Sequence, residues 1–165
     1  MDVLFVTRDD VLRYTSIGGN VDVDKLIPHI KVAQDTYLTS LLGTKLYQRI
    51  EQVVSTNETS GDYYDLLMDF IQPCVIHYAT AEFLTFHAYS ISNGGVFRHI
   101  SDNSTTPDLD EVKMLVQKCR DNADHYRRRF IDHVCYYNSR YPEYTASQED
   151  GQYPSYNENT TRWVL

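Results

Sequence analysis

Between Val23 and Leu41 the apolar residues Val23, Leu26, Ile27, Ile30, Ala33, Tyr37, Leu38 and Leu41 recur at spacings of three and four, which places them on one face of an α-helix. Pro28 stands too late for a helix beginning at Asp22, so the pattern predicts a start nearer Lys25, capped by Asp22 or Asp24. Gly43 ends this helix after Ser-Leu-Leu. Thr44 then opens a shorter helix whose Leu46, Tyr47, Ile50, Val53 and Val54 form one face.

After the polar stretch STNETSGD, a helical pattern runs from Tyr63 through Leu66, Leu67, Phe70, Ile71, Cys74, Val75, Tyr78, Ala79, Phe83, Leu84 and Phe86 to about Ser90. Pro73 interrupts it, so a kink or break is expected there, because proline removes a backbone donor and crowds the preceding turn. SNGG is a turn signal, VFRHI suits a short strand, and SDNSTTPD is a loop. A long helix follows from about Asp108 to Ser139, with Val112, Leu115, Val116, Cys119, Ala123, Tyr126, Phe130, Val134 and Tyr137 on its apolar stripe. At the N-terminus, Thr7 and Asp10 have capping-box spacing ahead of a short helix over Arg8 to Thr15. The predicted fold is all-α: a four-helix-type bundle with a short N-terminal helix, a loop or hairpin excursion near 93–101 and an extended C-terminal tail. The predicted division is a helical domain over 1–140 and a tail over 141–165.

Composition narrows the function. A chain of 165 residues, 42% apolar, holds one domain with a real core. Its net charge of -8 opposes general attraction to nucleic-acid phosphate or anionic lipid. The most apolar region is broken by Gln72, His77, Glu82 and His87, so no segment approaches the roughly 18 apolar residues of a membrane helix, and a soluble protein is expected. The opening MDVLFVTRDD carries no secretory pattern, which makes synthesis and residence in a cytoplasm the expectation. Cys74, Cys119 and Cys135 are odd in number and lie in helical patterns, so buried free thiols are expected. The Asn-x-Thr tripeptides at Asn57, Asn103 and Asn159 then mean only exposed polar loops.

Candidate chemistry is sparse. A di-metal bundle needs Glu-x-x-His pairs, and none occurs. Asp121 and His125 have i, i+4 spacing, which a helix-surface hydrogen bond explains as well as a ligand pair does. Cys74 precedes His77 by one turn, but its apolar surroundings would raise the thiol pKa and favour core packing over nucleophilic chemistry. DNSTTPDLDE has calcium-loop-like oxygens, yet proline stands where the loop turn needs glycine. Gly94-Gly95 lacks phosphate-loop spacing. No catalytic residue, cofactor or metal is therefore assigned, and a non-enzymatic role is expected. A small cytoplasmic helical enzyme or metal-binding bundle is the alternative. The basic run Arg127, Arg128, Arg129 lies on a helix with seven basic and six acidic residues between Asp108 and Arg140, which suits inter-subunit ion pairs.

The C-terminal 25 residues are polar yet carry two Tyr-Pro-x-Tyr units, at Tyr141 and Tyr153, and the single Trp163. Proline limits the conformations lost on docking, and tyrosine offers large contact area at low side-chain entropy cost. The first unit is expected to fold back on its own bundle. Tyr153, Pro154, Tyr156, Trp163 and Leu165 are the expected anchor on another protein.

The run DKLIPHIKVAQDTYLTSLLGTKLYQRI, the proline-interrupted LLMDFIQPCVIHYATAEFL, the turn ISNGGVFRHISDNSTTPDLDE and the closing DNADHYRRRFIDHVCYYNSRYPEY together resemble the head-to-tail adaptor, or connector, proteins of tailed bacteriophages. They look like the version found in phages of Bacteroides-type gut bacteria, including crAss-like phages, where the component is called a ring protein. The resemblance implies an α-helical domain assembled into a ring, twelvefold as is usual in that family, beneath the portal protein. It also implies neighbouring ring or tail proteins as partners, DNA passing through the lumen without sequence-specific binding, and no membrane. The place it implies is the head-tail connector of the virion, after synthesis in the bacterial host cytoplasm. A net negative subunit agrees with a channel through which DNA slides.

Overall fold

A computed structural model describes residues 3–17, 23–87, 89–92, 95–98, 109–146 and 151–155. The fold is an all-α bundle of four principal helical rods. The short helix α1 (Arg8–Tyr14) opens with the expected capping box: Asp10 N donates to Thr7 Oγ1 at 3.2 Å and Thr7 N donates to Asp10 Oδ2 at 3.0 Å.

The first rod starts as a 3-10 turn (Val23–Lys25) and continues as α2 (Leu26–Ala33), a π turn (Gln34–Leu38) and the first turn of α3 (Thr39–Ser55). Pro28 is the third residue of α2, where its missing N–H has no helical partner to lose. At Gly43 the backbone leaves the helix (φ 69°, ψ 166°), so α3 is two helical pieces that meet at a glycine, as the sequence predicts. The second rod runs from Thr44 to Ser55.

The third rod spans α4 (Asp62–Leu66), a second π turn (Leu67–Ile71) and α5 (Gln72–His87). The interruption expected at Pro73 takes the form of this π turn, which widens the backbone just ahead of the proline and spares the helix a break. A two-stranded antiparallel hairpin follows, β1 (Tyr89–Ser92) and β2 (Gly95–Arg98), around the expected excursion. The fourth rod is α6 (Leu109–Tyr136).

At the centre lies α5, buried along Cys74, Val75, Ile76, Tyr78, Ala79, Thr80, Ala81 and Phe83. Helix α6 packs antiparallel to it: Phe70 meets His133, the Cys74 thiol lies 3.6 Å from Ala123 O, and Glu82 lies 3.9 Å from Arg120. Burial on α6 begins at Ala123 and continues with Phe130, Ile131 and Val134. The apolar stripe ahead of Ala123 departs from the expected core: Met114 is 66% and Leu115 49% exposed, while Val112, Val116 and Cys119 are half-buried. Because α5 ends at His87, the first turns of α6 overhang the end of their partner.

Packing also continues past residue 140. Tyr141 and Tyr144, on either side of Pro142 in the short helix α7 (Pro142–Thr145), are both 1% exposed. Tyr144 meets Phe130 edge-on, Tyr141 meets Tyr63 edge-on, and Tyr63 Oη donates to Glu143 Oε2 at 2.6 Å. The first Tyr-Pro-x-Tyr unit thus completes the core, and a boundary drawn at 140 cuts through it. The cysteines also depart from expectation. All three are free thiols, but only Cys74 is buried; Cys119 is half-buried and Cys135 exposed, because Val134 beside it takes the inward position.

Candidate functional site

Two parts of the surface carry the features expected of a protein-interaction site, and both lie at helix ends. The first is the Gly43 break. A helix that stops leaves carbonyls without partners, and one that starts leaves amides. Here the C-terminal segment answers both: Ser155 N donates to Ser40 O at 2.7 Å, and Thr44 N donates to Gln152 O at 2.9 Å. Gln152 N in turn donates to Thr44 Oγ1 at 2.7 Å. Pro154 is buried over Gly43, where a Cβ would come within 2.7 Å of the proline Cδ and 2.9 Å of Gln152 O. A Cβ on Gly151 would come within 2.6 Å of Thr44 Oγ1.

This placement corrects the expected anchor in one respect. Pro154 is held by its own chain, since it has no amide to satisfy and covers the one position on α3 that lacks a side chain. Tyr153 beside it is 56% exposed. Tyr156, Trp163 and Leu165 lie outside the described residues.

The second part is the α6 overhang, where Met114 and Leu115 are exposed; Phe86, near the end of α5, is exposed as well. Further exposed aromatic surface lies at the other end of α6, where Tyr136 is 80% exposed. Between the two ends sit the arginines. Arg128 and Arg129 are exposed and Arg127 is half-buried. The Arg129 guanidinium stacks 5.3 Å from the Phe70 ring and 5.9 Å from the Tyr126 ring, and Arg128 Nε donates to Asp124 O at 3.3 Å. Among the described residues none of the three makes an ion pair.

The buried polar groups tie helices together. Tyr37 stacks flat on Tyr78 with centroids 3.9 Å apart; Tyr37 Oη donates to Glu82 Oε1 at 2.9 Å and Tyr78 Oη to Asp124 Oδ1 at 2.6 Å. Burial first, and then the carboxylate acceptors, push both phenols up, so each stays protonated and donating at neutral pH. Burial also pushes the Cys74 thiol up to about 12, which leaves it without thiolate at neutral pH, and His77 stacks on Tyr126 with centroids 5.8 Å apart. Asp121 accepts from Gln117 Nε2 at 2.8 Å, a helix-surface hydrogen bond. Among the described residues no three His, Cys, Asp or Glu side chains come together as a metal site requires, and no helix is long and apolar enough to cross a membrane. A cleft of about 250 Å3 between α1, α5 and α6 is walled by Tyr14, Met68, Pro73, Ile76, His77 and Tyr126, with the Gln72 amide as a further polar group.

One buried polar side chain is not marked out by the apolar pattern: Gln34, 1% exposed, whose amide holds the N-terminal segment. Its signal was present in the sequence. It stands four residues after Ile30 and four before Leu38, in the middle of a buried face.

These features define an α-helical bundle with exposed apolar and basic side chains on α6 and a glycine break on α3 covered by the segment 151–155. The chain belongs to a family described as a family of unknown function (DUF6712), which matches residues 38–153. The match spans Gly43 and reaches Tyr153, so it takes in the break on α3 and most of the segment lying against it. No curated protein and no solved structure matches the chain.

Proposed function

We propose that the protein is a structural subunit of a bacteriophage virion: a connector ring between portal and tail, built from about twelve copies by analogy with the adaptor proteins it resembles. The observation that carries this reading is the α6 overhang. The apolar stripe of α6 runs on past its buried part and leaves Met114 and Leu115 in solvent near the end of α5, and a second copy packed alongside would cover them. The arginines at 127–129, which make no ion pair among the described residues, supply charge for the same lateral contact, with exposed carboxylates such as Asp65 and Asp69 as candidate partners on the neighbour.

The channel function needs no catalytic group, and a subunit of net charge -8 avoids long-lived contact with the phosphates that pass through it. The terminal segment beyond Ser155, with Tyr156, Trp163 and Leu165, is the part assigned to the portal or a neighbouring ring. Electron microscopy of the purified chain, and mass spectrometry of virions, test the reading. Rings with a central channel and the chain among virion proteins are expected. A monomer at every concentration, together with absence from virions, overturns it.

A further inference from the structure

The cleft between α1, α5 and α6 is walled mostly by rings. Tyr14 on α1, Met68 on the π turn, Pro73 and His77 on α5 and Tyr126 on α6 surround about 250 Å3. A cavity of about 150 Å3 takes up benzene, so the larger volume here suits one ring or two fused rings. The His77 and Tyr126 rings lie within 17° of parallel with centroids 5.8 Å apart, so a flat molecule laid on one is nearly parallel to the other. The Met68 thioether adds apolar contact that adapts to the outline of a ligand. A π turn within a helical rod is itself a frequent feature of functional sites.

Two polar groups at the cleft have capacity to spare. Gln72 Nε2 donates to Phe5 O at 2.8 Å, yet its Oε1 accepts no hydrogen bond among the described residues. His77 is half-buried, stacks on Tyr126 and makes no hydrogen bond among the described residues. Burial holds its ring below the usual 6.5, so at neutral pH it is uncharged and offers one bare nitrogen as an acceptor. A molecule that displaces water from these acceptors must return a hydrogen bond, and so must carry a donor. No wall of the cleft is charged: Arg129, 5.9 Å from the Tyr126 ring, is not among the lining residues. A neutral ligand therefore loses less hydration on entry than an ion would.

We propose that this cleft is a binding site for a small, neutral one- or two-ring aromatic of the phenol or indole class, stacked along His77 and Tyr126 and donating its hydroxyl or ring N–H to His77 or to Gln72 Oε1. The site is formed within one copy of the chain and is independent of assembly.

The test titrates the full-length chain with indole, with phenol and with toluene, which matches phenol in shape and lacks the donor. Binding is read from the ligand NMR signals and from the His77 Cε1–H resonance. Indole and phenol are expected to bind saturably with Kd of about 0.1–1 mM and to move that resonance. Met68→Trp fills the cleft from a position 39% exposed and should weaken indole at least about tenfold. Tyr14→Ala, at a side chain 62% exposed, takes away one wall without touching the core and should weaken indole about threefold. His77→Phe keeps the stacking ring and removes the acceptor, so the ratio of phenol to toluene affinity should fall about fivefold while toluene holds its affinity. No saturable binding of indole or phenol, or an indole affinity that neither Met68→Trp nor Tyr14→Ala changes, overturns the site. A phenol-to-toluene ratio unchanged in His77→Phe overturns the contact assigned to His77.

Discussion

The side-chain carbonyl of Gln34, on the π turn after α2, accepts the backbone amide of Phe5 at 2.9 Å. Its Nε2 donates to Val3 O and to Tyr47 Oη at 2.8 Å each, and Gln72 Nε2 on α5 donates to Phe5 O at 2.8 Å. Two glutamines thus do for the N-terminal segment what a neighbouring strand would do. They satisfy its main chain so that Phe5 and Val6, 2% and 1% exposed, enter the core without regular structure.

Replacing Gln34 by Leu removes three hydrogen bonds and leaves the buried Phe5 amide without an acceptor. An orphaned buried group costs about 1–3 kcal/mol, so a loss of about 3 kcal/mol in all is expected, read as a fall in Tm of roughly 6–12 °C. A fall under about 2 °C would show that the N-terminal segment contributes little to the fold.

The two Tyr-Pro-x-Tyr units should separate in a stability measurement. Tyr144 is fully buried against Phe130, so Tyr144→Ala opens a large cavity and is expected to cost about 3–5 kcal/mol by urea denaturation. Deleting 156–165, the segment assigned to another protein, is expected to change the stability by less than about 0.5 kcal/mol. Equal losses in the two variants would contradict this assignment of the core.

Periodicity made the helices legible, because a buried face on α2, α5 or α6 needs apolar residues at spacings of three and four, and capping chemistry made Thr7 and Asp10 legible. What covers a stripe is another matter. Val112, Leu115 and Val116 continue the pattern of Ala123 and Phe130, yet they are half-buried or exposed, at and past the level where α5 ends at His87. The break at Gly43 was half visible: glycine after Ser-Leu-Leu marks a helix end, but the groups that satisfy that end come from residues more than 100 positions away. The π turns carry no composition signal, although Pro73 gives a reason for one of them.

Acid should weaken the fold through its histidines. His29, His77 and His133 are all held below their usual 6.5, chiefly by burial; Glu82 partly offsets this at His29, while at His133 Arg140 adds to it and Asp69 and Asp62 oppose it. A histidine with a depressed folded pKa binds its proton more readily when unfolded, so its contribution is present above pH 6.5 and lost as pH falls below it. The urea midpoint is expected to drop progressively from pH 7 to pH 5. His77→Phe, which keeps a ring against Tyr126, should flatten that slope.

Thiol chemistry offers a check on the packing of α6. Cys135 is exposed and Cys119 half-buried, whereas the Cys74 thiol is buried against Ala123 O and pushed up to about 12. A maleimide at pH 7.5 is expected to label Cys135 first and Cys119 more slowly, and to reach Cys74 only after denaturation. Labelling of Cys74 at the rate of Cys135 in the native protein would mean that α5 and α6 are not packed as described.

The α6 overhang should matter for assembly and not for folding. Leu115 is 49% exposed, so Leu115→Asp is expected to change the stability of the isolated chain by less than about 0.5 kcal/mol. If a second copy covers that face, the same substitution places a carboxylate in an apolar contact and should weaken self-association by about 10- to 100-fold, read by sedimentation over a concentration series. Raising salt should also weaken association of the native chain, through the ion pairs assigned to Arg128 and Arg129, whereas an interface made only by the apolar overhang would hold or tighten. Assembly that Leu115→Asp leaves unchanged would move the contact away from the overhang and remove the observation on which the connector reading stands.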